Sequence, residues 1–153
     1  MANRPKVFLD ADVVFAGSAA FSPDSASPMI MLMAEITLLA CLTSTQVITE
    51  VERNLVVKFS NALPEFRLLV KRCLKIALDP ELSDLQPFAG QADPKDLPIL
   101  VAALQQNCSH LLTFNTRHFN PGRDQIVIQR PGDFLRNIRS QLSTLSSAEE
   151  WHD

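Results

Sequence analysis

Two aspartates stand directly behind an apolar run near the start of the chain. Val7, Phe8 and Leu9 have the character of a buried strand, and Asp10 and Asp12 follow at its carboxyl end. A carboxylate in that position is partly removed from water, so it stays charged at low cost only beside a cation or hydrogen-bond donors. The placement predicts metal or phosphate chemistry. The alternative is that Asp10 only caps the following turn.

Glu50 and Glu52 are the next candidates, because a magnesium site needs several hard oxygen ligands. They flank an apolar stripe of Val47, Val51 and Leu55, which recurs as one face of a helix requires. The two glutamates lie on opposite sides of that stripe. Periodicity therefore leaves open which of them, if either, faces the site at the strand end, and both could simply be solvated.

A third pair of acids stands at a predicted helix start. We expect Asp93 to be the N-cap, Pro94 the first helical position and Asp96 the third, where the helix dipole favours negative charge. One interpretation is that both acids only stabilise this helix start. However, the chain from Leu97 onward is almost entirely apolar, which predicts a buried helix whose acidic first turn faces a crevice.

Polar residues follow a second strand in the segment "HLLTFNTRHF". We expect the strand to end at Thr113 and Phe114, at the same kind of sheet edge as the first aspartates. Thr113 and Asn115 can hold a water or a phosphate oxygen by hydrogen bonds. His118 is a candidate ligand for a metal or phosphate, or an ordinary surface residue of the loop.

Segments of strand and helix character alternate along the chain, which predicts an α/β fold: a three-layer α/β/α sandwich around a mostly parallel central sheet. In such sheets the ligand site lies beyond the carboxyl ends of the strands. Residues 1–142 are expected to form one domain, followed by a frayed polar tail at 143–153. The predicted strands are 6–9, 110–114 and 126–128, the predicted helices are 27–41, 46–59, 64–76, 93 onward and 131–142, and 78–92 is a loop.

Bulk composition excludes several classes of protein. The formal net charge of −3 gives no overall attraction to nucleic acid, so any such contact must be local. The N-terminus lacks the pattern of a secretory signal, and the longest apolar stretch, 29–42, is interrupted by Glu35 and too short to span a bilayer. We expect a cytoplasmic protein that makes no membrane contact. Cys41, Cys73 and Cys108 are predicted to be reduced core residues.

In this order and spacing, five segments between Lys6 and Arg136 resemble the PIN-domain family of metal-dependent ribonucleases, which includes the toxins of VapC-type toxin–antitoxin pairs. Each segment matches one feature of the family pattern. In chain order these features are the first-strand aspartate, the Ser/Thr-rich turn with its helix glutamate, the aspartate at a helix start, the strand followed by a polar loop, and the closing helix. The segments are "VFLDADVV", "TSTQVITEVERNL", "DPKDLPILVAAL", "LLTFNTRHF" and "RPGDFLRNI".

The resemblance implies a Mg²⁺ or Mn²⁺ site built from Asp10, Glu50 and Asp96, with Thr113 and Asn115 completing the catalytic group. It favours Glu50 over Glu52, a choice that periodicity leaves open. The chain also departs from the family pattern. Asn115 stands at the position of a fourth acid, another acid that often follows is His118 here, and Asp12 stands where asparagine is frequent.

The implied activity is that of an endoribonuclease in which a metal-activated water attacks a phosphodiester bond of RNA. Arg117 and Arg123 are candidate RNA-binding residues beside the site, and Lys71, Arg72 and Lys75 on one predicted helix are a second group of candidates. An antitoxin protein is the second implied partner. The apolar segment 29–39 is a candidate surface for a homodimer.

Two other functions are compatible with parts of the sequence. Because Asn115 and His118 replace acids, the chain could be a PIN-like module that binds RNA or protein without turnover. The segment "LDADVV" also fits haloacid-dehalogenase-like phosphatases, in which the first aspartate is a nucleophile. That chemistry needs a lysine after a middle strand and paired acids at the end of a later strand, and the sequence offers neither.

Overall fold

A sheet of five parallel strands forms the centre of the part of the chain that the structure describes. The computed structural model describes residues 4–18, 26–122 and 124–148. The strands are β1 (Lys6–Leu9), β2 (Ala40–Ser44), β3 (Leu74–Ala77), β4 (His110–Leu112) and β5 (Val127–Gln129). The expected α/β fold is confirmed, and the sheet predicted to be mostly parallel is parallel at every described pairing.

The strand order β3-β2-β1-β4-β5 places β1 at the middle of the sheet. Val7 of β1 lies opposite Cys41 on one side and His110 on the other. The chain moves outward from β1 to β3 and then returns to the other side of β1 to form β4. The order therefore reverses between β1 and β4, and the crevice beyond the carboxyl ends at such a reversal is where open parallel sheets bind ligands.

Helices cover both faces of the sheet. Because crossovers between parallel strands are right-handed, the helices that precede β3 lie on one face and those between β3 and β4 on the other. The last helix packs on the first of these layers, against α2. The helices are α1 (Ala11–Ser18), α2 (Ala26–Glu35), α3 (Thr45–Lys58), α4 (Leu63–Cys73), α5 (Leu82–Leu85), α6 (Leu97–Gln105) and α7 (Pro131–Ala148).

The core lies on both faces of β1. Val7, Phe8 and Leu9 have no exposed surface, because helices cover the strand from above and below. Helix α6 is buried on nearly every side, as its apolar sequence predicts. In the described parts of the chain, no helix combines the length and apolar character needed to cross a membrane.

Two strands occupy segments that were predicted to continue helices, and both predictions are wrong. Helix α2 ends at Glu35, and Thr37 then adopts a left-handed conformation with φ of 66° before β2 begins. Helix α4 ends at Cys73, directly before β3. Strand β2 is buried on both faces, so its apolar run has no periodicity that separates a strand from the end of a buried helix. Strand β3 is an edge strand of four residues with Lys75 and Ile76 exposed, and it is too short to show a period.

Other boundaries also differ from the predicted ones. Helix α1 was not predicted, and residues 78–92 contain the short helix α5. Helix α6 begins at Leu97 with Asp96, not Asp93, as its N-cap, because the residues between them form a turn in which the Asp93 carbonyl accepts the Asp96 amide at 2.8 Å.

Helix α7 continues through Ala148, six residues beyond the predicted end of the domain. Its polar residues remain compatible with a helix because their hydroxyls bond back to the preceding turn. The Ser143 hydroxyl donates to the Arg139 carbonyl at 2.9 Å, and the Thr144 hydroxyl donates to the Gln141 carbonyl at 2.6 Å.

Candidate active site

Asp10 joins the end of β1 to the start of α1. Its amide donates to the Leu112 carbonyl at 3.0 Å, and its carbonyl accepts the amides of Val13 and Val14. The side chain is buried, and its two oxygens accept hydrogen bonds from the Ala11 amide at 2.7 Å and the Thr113 hydroxyl at 2.8 Å. The backbone carbonyl of Asp10 thus begins α1, whereas its buried carboxylate bonds only to the adjacent Ala11 amide and to Thr113.

The electrostatic environment of Asp10 disfavours its charged form. Burial, together with the nearby charges of Asp12 and Asp96, raises the pKa of Asp10 to about 6, and the hydrogen bonds from Ala11 and Thr113 oppose that rise. Asp96 is thus close enough to act on Asp10 although the two are far apart in sequence. A cation placed between these carboxylates would relieve both the desolvation and the repulsion.

Thr113 holds the Asp10 carboxylate in place. It follows β4, is completely buried, and donates its amide hydrogen to the Gln129 carbonyl of β5 at 3.0 Å. Its hydroxyl donates to Asp10 and accepts the Asn115 amide at 3.0 Å. Since the single hydroxyl hydrogen is directed to Asp10, the orientation of that carboxylate is set by the sheet.

Asp12 lies on the first turn of α1 and faces the loop after β4. One oxygen, Oδ2, accepts the Phe114 amide at 3.0 Å and the Asn115 side-chain amide at 3.3 Å. The other oxygen, Oδ1, is buried and has no hydrogen-bond partner among the described residues. Burial chiefly raises the pKa of Asp12, and the charge of Glu50 contributes in the same direction.

The two glutamates of α3 have different surroundings. Glu50 is exposed, and its charge acts on Asp12, so it lies on the side of the helix that faces the aspartates. Glu52 pairs with Arg67 of α4 at 3.0 Å. Periodicity could not distinguish the two glutamates. In the structure, Glu50 raises the pKa of Asp12, whereas Glu52 does not.

Asp96 lies at the start of α6 next to His118. Its Oδ2 is 3.0 Å from His118 Nδ1, and the Asp93 carboxylate is 3.7 Å from the same nitrogen. Asp96 is the N-cap by position, yet its side chain makes no capping hydrogen bond. The carboxylate therefore remains directed toward the crevice and toward His118, which belongs to the short 3-10 turn Thr116–His118.

The candidate RNA-binding residues are distributed unevenly. Arg117 is exposed in the turn beside the site, whereas Arg123 lies outside the described residues. Lys71 and Arg72 belong to the last turn of α4, which leads into the amino end of β3 and so lies at the opposite edge of the sheet. Arg72 also pairs with Glu35 at 3.5 Å.

One cavity lined by described residues lies away from these acids. It is an open depression of about 1110 Å³ at the amino ends of the strands, lined by Arg4, Lys6, His110 and Phe134 among others. Ligands of parallel sheets bind at the carboxyl edge, where Asp10 and Thr113 lie. We therefore place the candidate active site at the acids and not at this cavity.

Asp10, Asp12, Glu50 and Asp96 carry carboxylate oxygens, which is the ligand type that Mg²⁺ and Mn²⁺ prefer. Among the described residues, however, the group of three whose ligand atoms lie within 4.8 Å of one another is Asp93, Asp96 and His118. The unpartnered Oδ1 of Asp12 and the raised pKa of Asp10 both indicate negative charge that the described protein atoms do not balance. The sequence gives Asp12 only as a second acid after the first strand, at a position where asparagine is frequent in the family, and its missing hydrogen-bond partner is visible only in three dimensions.

Comparisons with known proteins bear on the family and the fold of the chain. A comparison with curated protein sequences found no match. VapBC2 from Rickettsia felis, solved bound to a DNA fragment from their promoter, has a similar fold, with a TM-score of 0.57 and 16% identity over 82% of this chain and 98% of the matched chain. The family model of the PIN domain matches residues 6–117, which is most of the chain. The resemblance found in the sequence is confirmed, and the chain belongs to the PIN-domain family.

Proposed function

We propose that the protein is a Mg²⁺- or Mn²⁺-dependent endoribonuclease. The observation that supports this proposal is that the charges of Asp12 and Asp96 raise the pKa of the buried Asp10, and the charge of Glu50 raises the pKa of Asp12. PIN domains are generally nucleases, so membership of the family supports the same conclusion.

Asp10, Glu50 and Asp96 would hold the ion, and Asp12 offers a further free oxygen. When bound, the ion supplies a hydroxide-like water and neutralises charge on the phosphate during hydrolysis of the phosphodiester bond. Thr113 fixes the Asp10 carboxylate by its hydroxyl bond of 2.8 Å. Asp12 fixes the loop after β4 through Phe114 and Asn115, so the ligands are positioned before substrate arrives.

Arg117 would bind a phosphate of the RNA, because it is exposed in the turn that carries His118. We assign Arg123 the same role from the sequence. A net charge of −3 cannot attract RNA to the protein as a whole, so these few cations must act locally. Weakening of RNA binding in Arg117→Ala, measured at several salt concentrations, tests this assignment.

The decisive experiment compares Asp10→Asn and Asp96→Asn with the wild type in a cleavage assay on single-stranded RNA with Mg²⁺ or Mn²⁺. We expect each variant to lose at least about 100-fold in rate, because each removes a ligand whose charge the ion needs. Undiminished cleavage by either purified, folded variant contradicts the proposed mechanism.

The pair of glutamates on α3 offers a matched control. Glu50→Gln removes a charge that is coupled to Asp12, and we expect it to lower the cleavage rate by about tenfold or more. Glu52→Gln removes the same charge two positions away, where it pairs with Arg67 instead, and should leave the rate close to that of the wild type. Equal effects of the two substitutions would remove Glu50 from the catalytic group.

We further propose an antitoxin protein as a partner and a homodimer as the oligomeric state. The fold shared with VapBC2 supports the first. The second is supported by exposed apolar side chains on and after α2, namely Met29, Leu32, Ile36 and Leu38. Sedimentation velocity of the protein alone and with the product of an adjacent small reading frame tests both.

The site also supports a second candidate, a module that binds RNA without cleaving it. Asn115 supplies a neutral amide where an acid is frequent in the family, and its amide nitrogen is already engaged with Asp12 at 3.3 Å. RNA binding without cleavage in either metal favours this function. The phosphatase alternative is not retained, because the chain is a PIN domain and Asp93 and Asp96 precede a helix instead of following a strand.

A further inference from the structure

We propose that the segment after α7, residues 149–153, folds back and docks in the cavity at the amino ends of the strands of its own chain. This inference goes beyond the proposed function and does not depend on it, because the cavity lies at the edge of the sheet opposite the acids. The segment reads EEWHD and lies outside the described residues. We define the amino-edge cavity by its lining, chiefly Arg4, Lys6, His110, Phe134 and Ile138.

The amino-edge cavity carries positive charge. Among the described residues that line it, Arg4 and Lys6 are basic and none is acidic. No described aspartate or glutamate lies within ion-pair distance of either cation. The Lys6 ammonium donates instead to the Gln106 carbonyl at 3.2 Å. In a chain whose formal net charge is −3, a concave surface of this kind favours an acidic occupant.

The segment after α7 has the complementary chemistry. It carries the acids Glu149, Glu150 and Asp153 and no lysine or arginine. The last turn of α7 contains no basic residue, so the negative end of the helix dipole is not balanced there. Acids placed directly behind that end are repelled by it. Contact with the cations of the amino-edge cavity would relieve this repulsion.

One wall of the amino-edge cavity is fixed from two sides. His110 Nδ1 is 2.8 Å from the Ser109 hydroxyl oxygen. The His110 ring also meets the buried Phe134 ring edge to face, with centroids 5.0 Å apart and planes at 67°. The wall therefore has its shape before any occupant arrives, which lowers the entropic cost of docking.

Helix α7 extends an apolar face from the amino-edge cavity toward the segment. Ile138 lines the cavity, and Leu145, seven positions further on, lies on the same face of the helix. Leu145 is 62% exposed. An indole packed along this face would remove apolar surface from water, so Trp151 can supply the apolar part of the contact.

The chain is long enough to make this contact within one copy. Gln141 lines the cavity, and the helix from there to Ala148 is about 10 Å long at about 1.5 Å per residue. An extended segment of the length of 149–153 spans about 17 Å. The segment can therefore reverse direction and reach the cavity. Its short tether keeps its effective concentration there at about the millimolar level or above, so modest contacts are sufficient.

Fluorescence of the full chain tests the docking directly, because Trp151 is the one tryptophan of the sequence and tyrosine is absent. We expect acrylamide to quench the wild type at least about threefold less efficiently than the double variant Arg4→Glu with Lys6→Glu, since the reversed charges repel the segment and return the indole to water. Lys95→Glu is the control. It reverses an exposed charge before α6, at the opposite edge of the sheet, and should be quenched like the wild type. Far-UV circular dichroism confirms that each variant is folded.

A charge swap and a dilution series complete the test. Adding Glu149→Lys and Glu150→Lys to the double variant should restore the protection of the indole, because the attraction returns with opposite signs. Protection should be equal at about 1 and about 100 μM protein, since the occupant belongs to the same chain. Wild-type quenching as efficient as in urea, equal quenching of wild type and double variant, no recovery in the charge swap, or protection that is lost on dilution overturns the inference.

Discussion

At the scale of single residues, function and stability conflict most directly at Asp10. Its side chain is buried with the charges of Asp12 and Asp96 close by, so the metal-free protein bears the cost of a carboxylate that water would otherwise solvate. The hydrogen bonds from Ala11 and Thr113 offset part of that cost. The arrangement is understandable if a bound cation offsets the remainder.

Asp10→Asn should stabilise the metal-free protein at neutral pH. A carboxyl group whose pKa is raised to about 6 in the folded state contributes stability that is complete below about pH 4 and is lost as the pH rises through about 6. Removing the charge should therefore raise the free energy of unfolding by about 1–3 kcal/mol at pH 7.5 and by much less at pH 4. Urea unfolding in the presence of a chelator at both pH values measures this.

The exposed Asp124 provides the control for that experiment. Asp124→Asn should leave the free energy of unfolding within about 0.5 kcal/mol of the wild type at both pH values. A destabilised Asp10→Asn variant at pH 7.5 would show that the hydrogen bonds of the carboxylate outweigh its desolvation.

Asp12 and Asn115 are neighbours, so a pair of substitutions can swap the acid and the amide between the two positions. They contact each other at 3.3 Å, and the free Oδ1 of Asp12 lies at the carboxyl edge with the other acids. We expect Asp12→Asn alone to weaken Mn²⁺ binding by about tenfold, since it removes a charged ligand. The double variant Asp12→Asn with Asn115→Asp should recover most of the loss, because the charge returns to a neighbouring position.

Calorimetric titration of the two single variants and the double variant with Mn²⁺ measures this coupling as a double-mutant cycle. Additive effects would mean that the two positions contribute to separate sites.

At the scale of elements, the best predicted helix is α3. Its stripe of Val47, Val51 and Leu55 is buried as the sequence indicates, and its observed limits differ by one residue at each end from those predicted. Strand β2 was missed because a strand buried on both faces reads as one apolar run, and β3 was missed because it has only four residues and follows α4 directly. Where only one face of an element is buried, the sequence displays its period. Where both faces are buried, that information is lost.

Thr43 joins two of these elements at the edge that carries the site. Its hydroxyl donates to the Leu9 carbonyl at 2.9 Å in a fully buried contact, directly before Asp10 in one chain segment and Ser44 in the other. Thr43→Val keeps the shape but leaves that carbonyl without this bond, so we expect a loss of about 1–2 kcal/mol in the free energy of unfolding. Urea unfolding measures it.

Thr49→Val is the matched control, because its hydroxyl bonds only within α3 to the Thr45 carbonyl at 2.9 Å on an exposed surface. Its effect should stay within about 0.5 kcal/mol. If both variants lost the same stability, the Thr43 bond would have no special role in holding β2 against β1.

At the scale of the whole molecule, the three cysteines confirm the expectation of reduced core residues. All three are free and buried, and burial raises the pKa of Cys41 to about 12 and of Cys108 to about 11. Because the thiolate is the reactive form, we expect no reaction of the native protein with a thiol reagent at pH 8 and three reacting thiols after unfolding. Rapid modification in native conditions would mean that the core opens readily.

The sequence by itself determined the residue types of the site and the class of the fold. Asp10, Asp96 and Thr113 could be assigned to ends of elements because strand ends and helix starts have local signals in charge, capping and apolar pattern. Their resemblance to the PIN-domain family then followed from the order of those segments.

Only the tertiary structure decided how these residues meet. The reversal of strand order between β1 and β4 brings Asp10 beside Thr113, and this depends on pairings between residues about a hundred positions apart that no local pattern encodes. The same holds for the unpartnered oxygen of Asp12 and for the contact of His118 with Asp96. Local patterns of charge, capping residues and apolar residues can be read from the sequence. Burial and electrostatic coupling arise only when strands pair on both sides of β1.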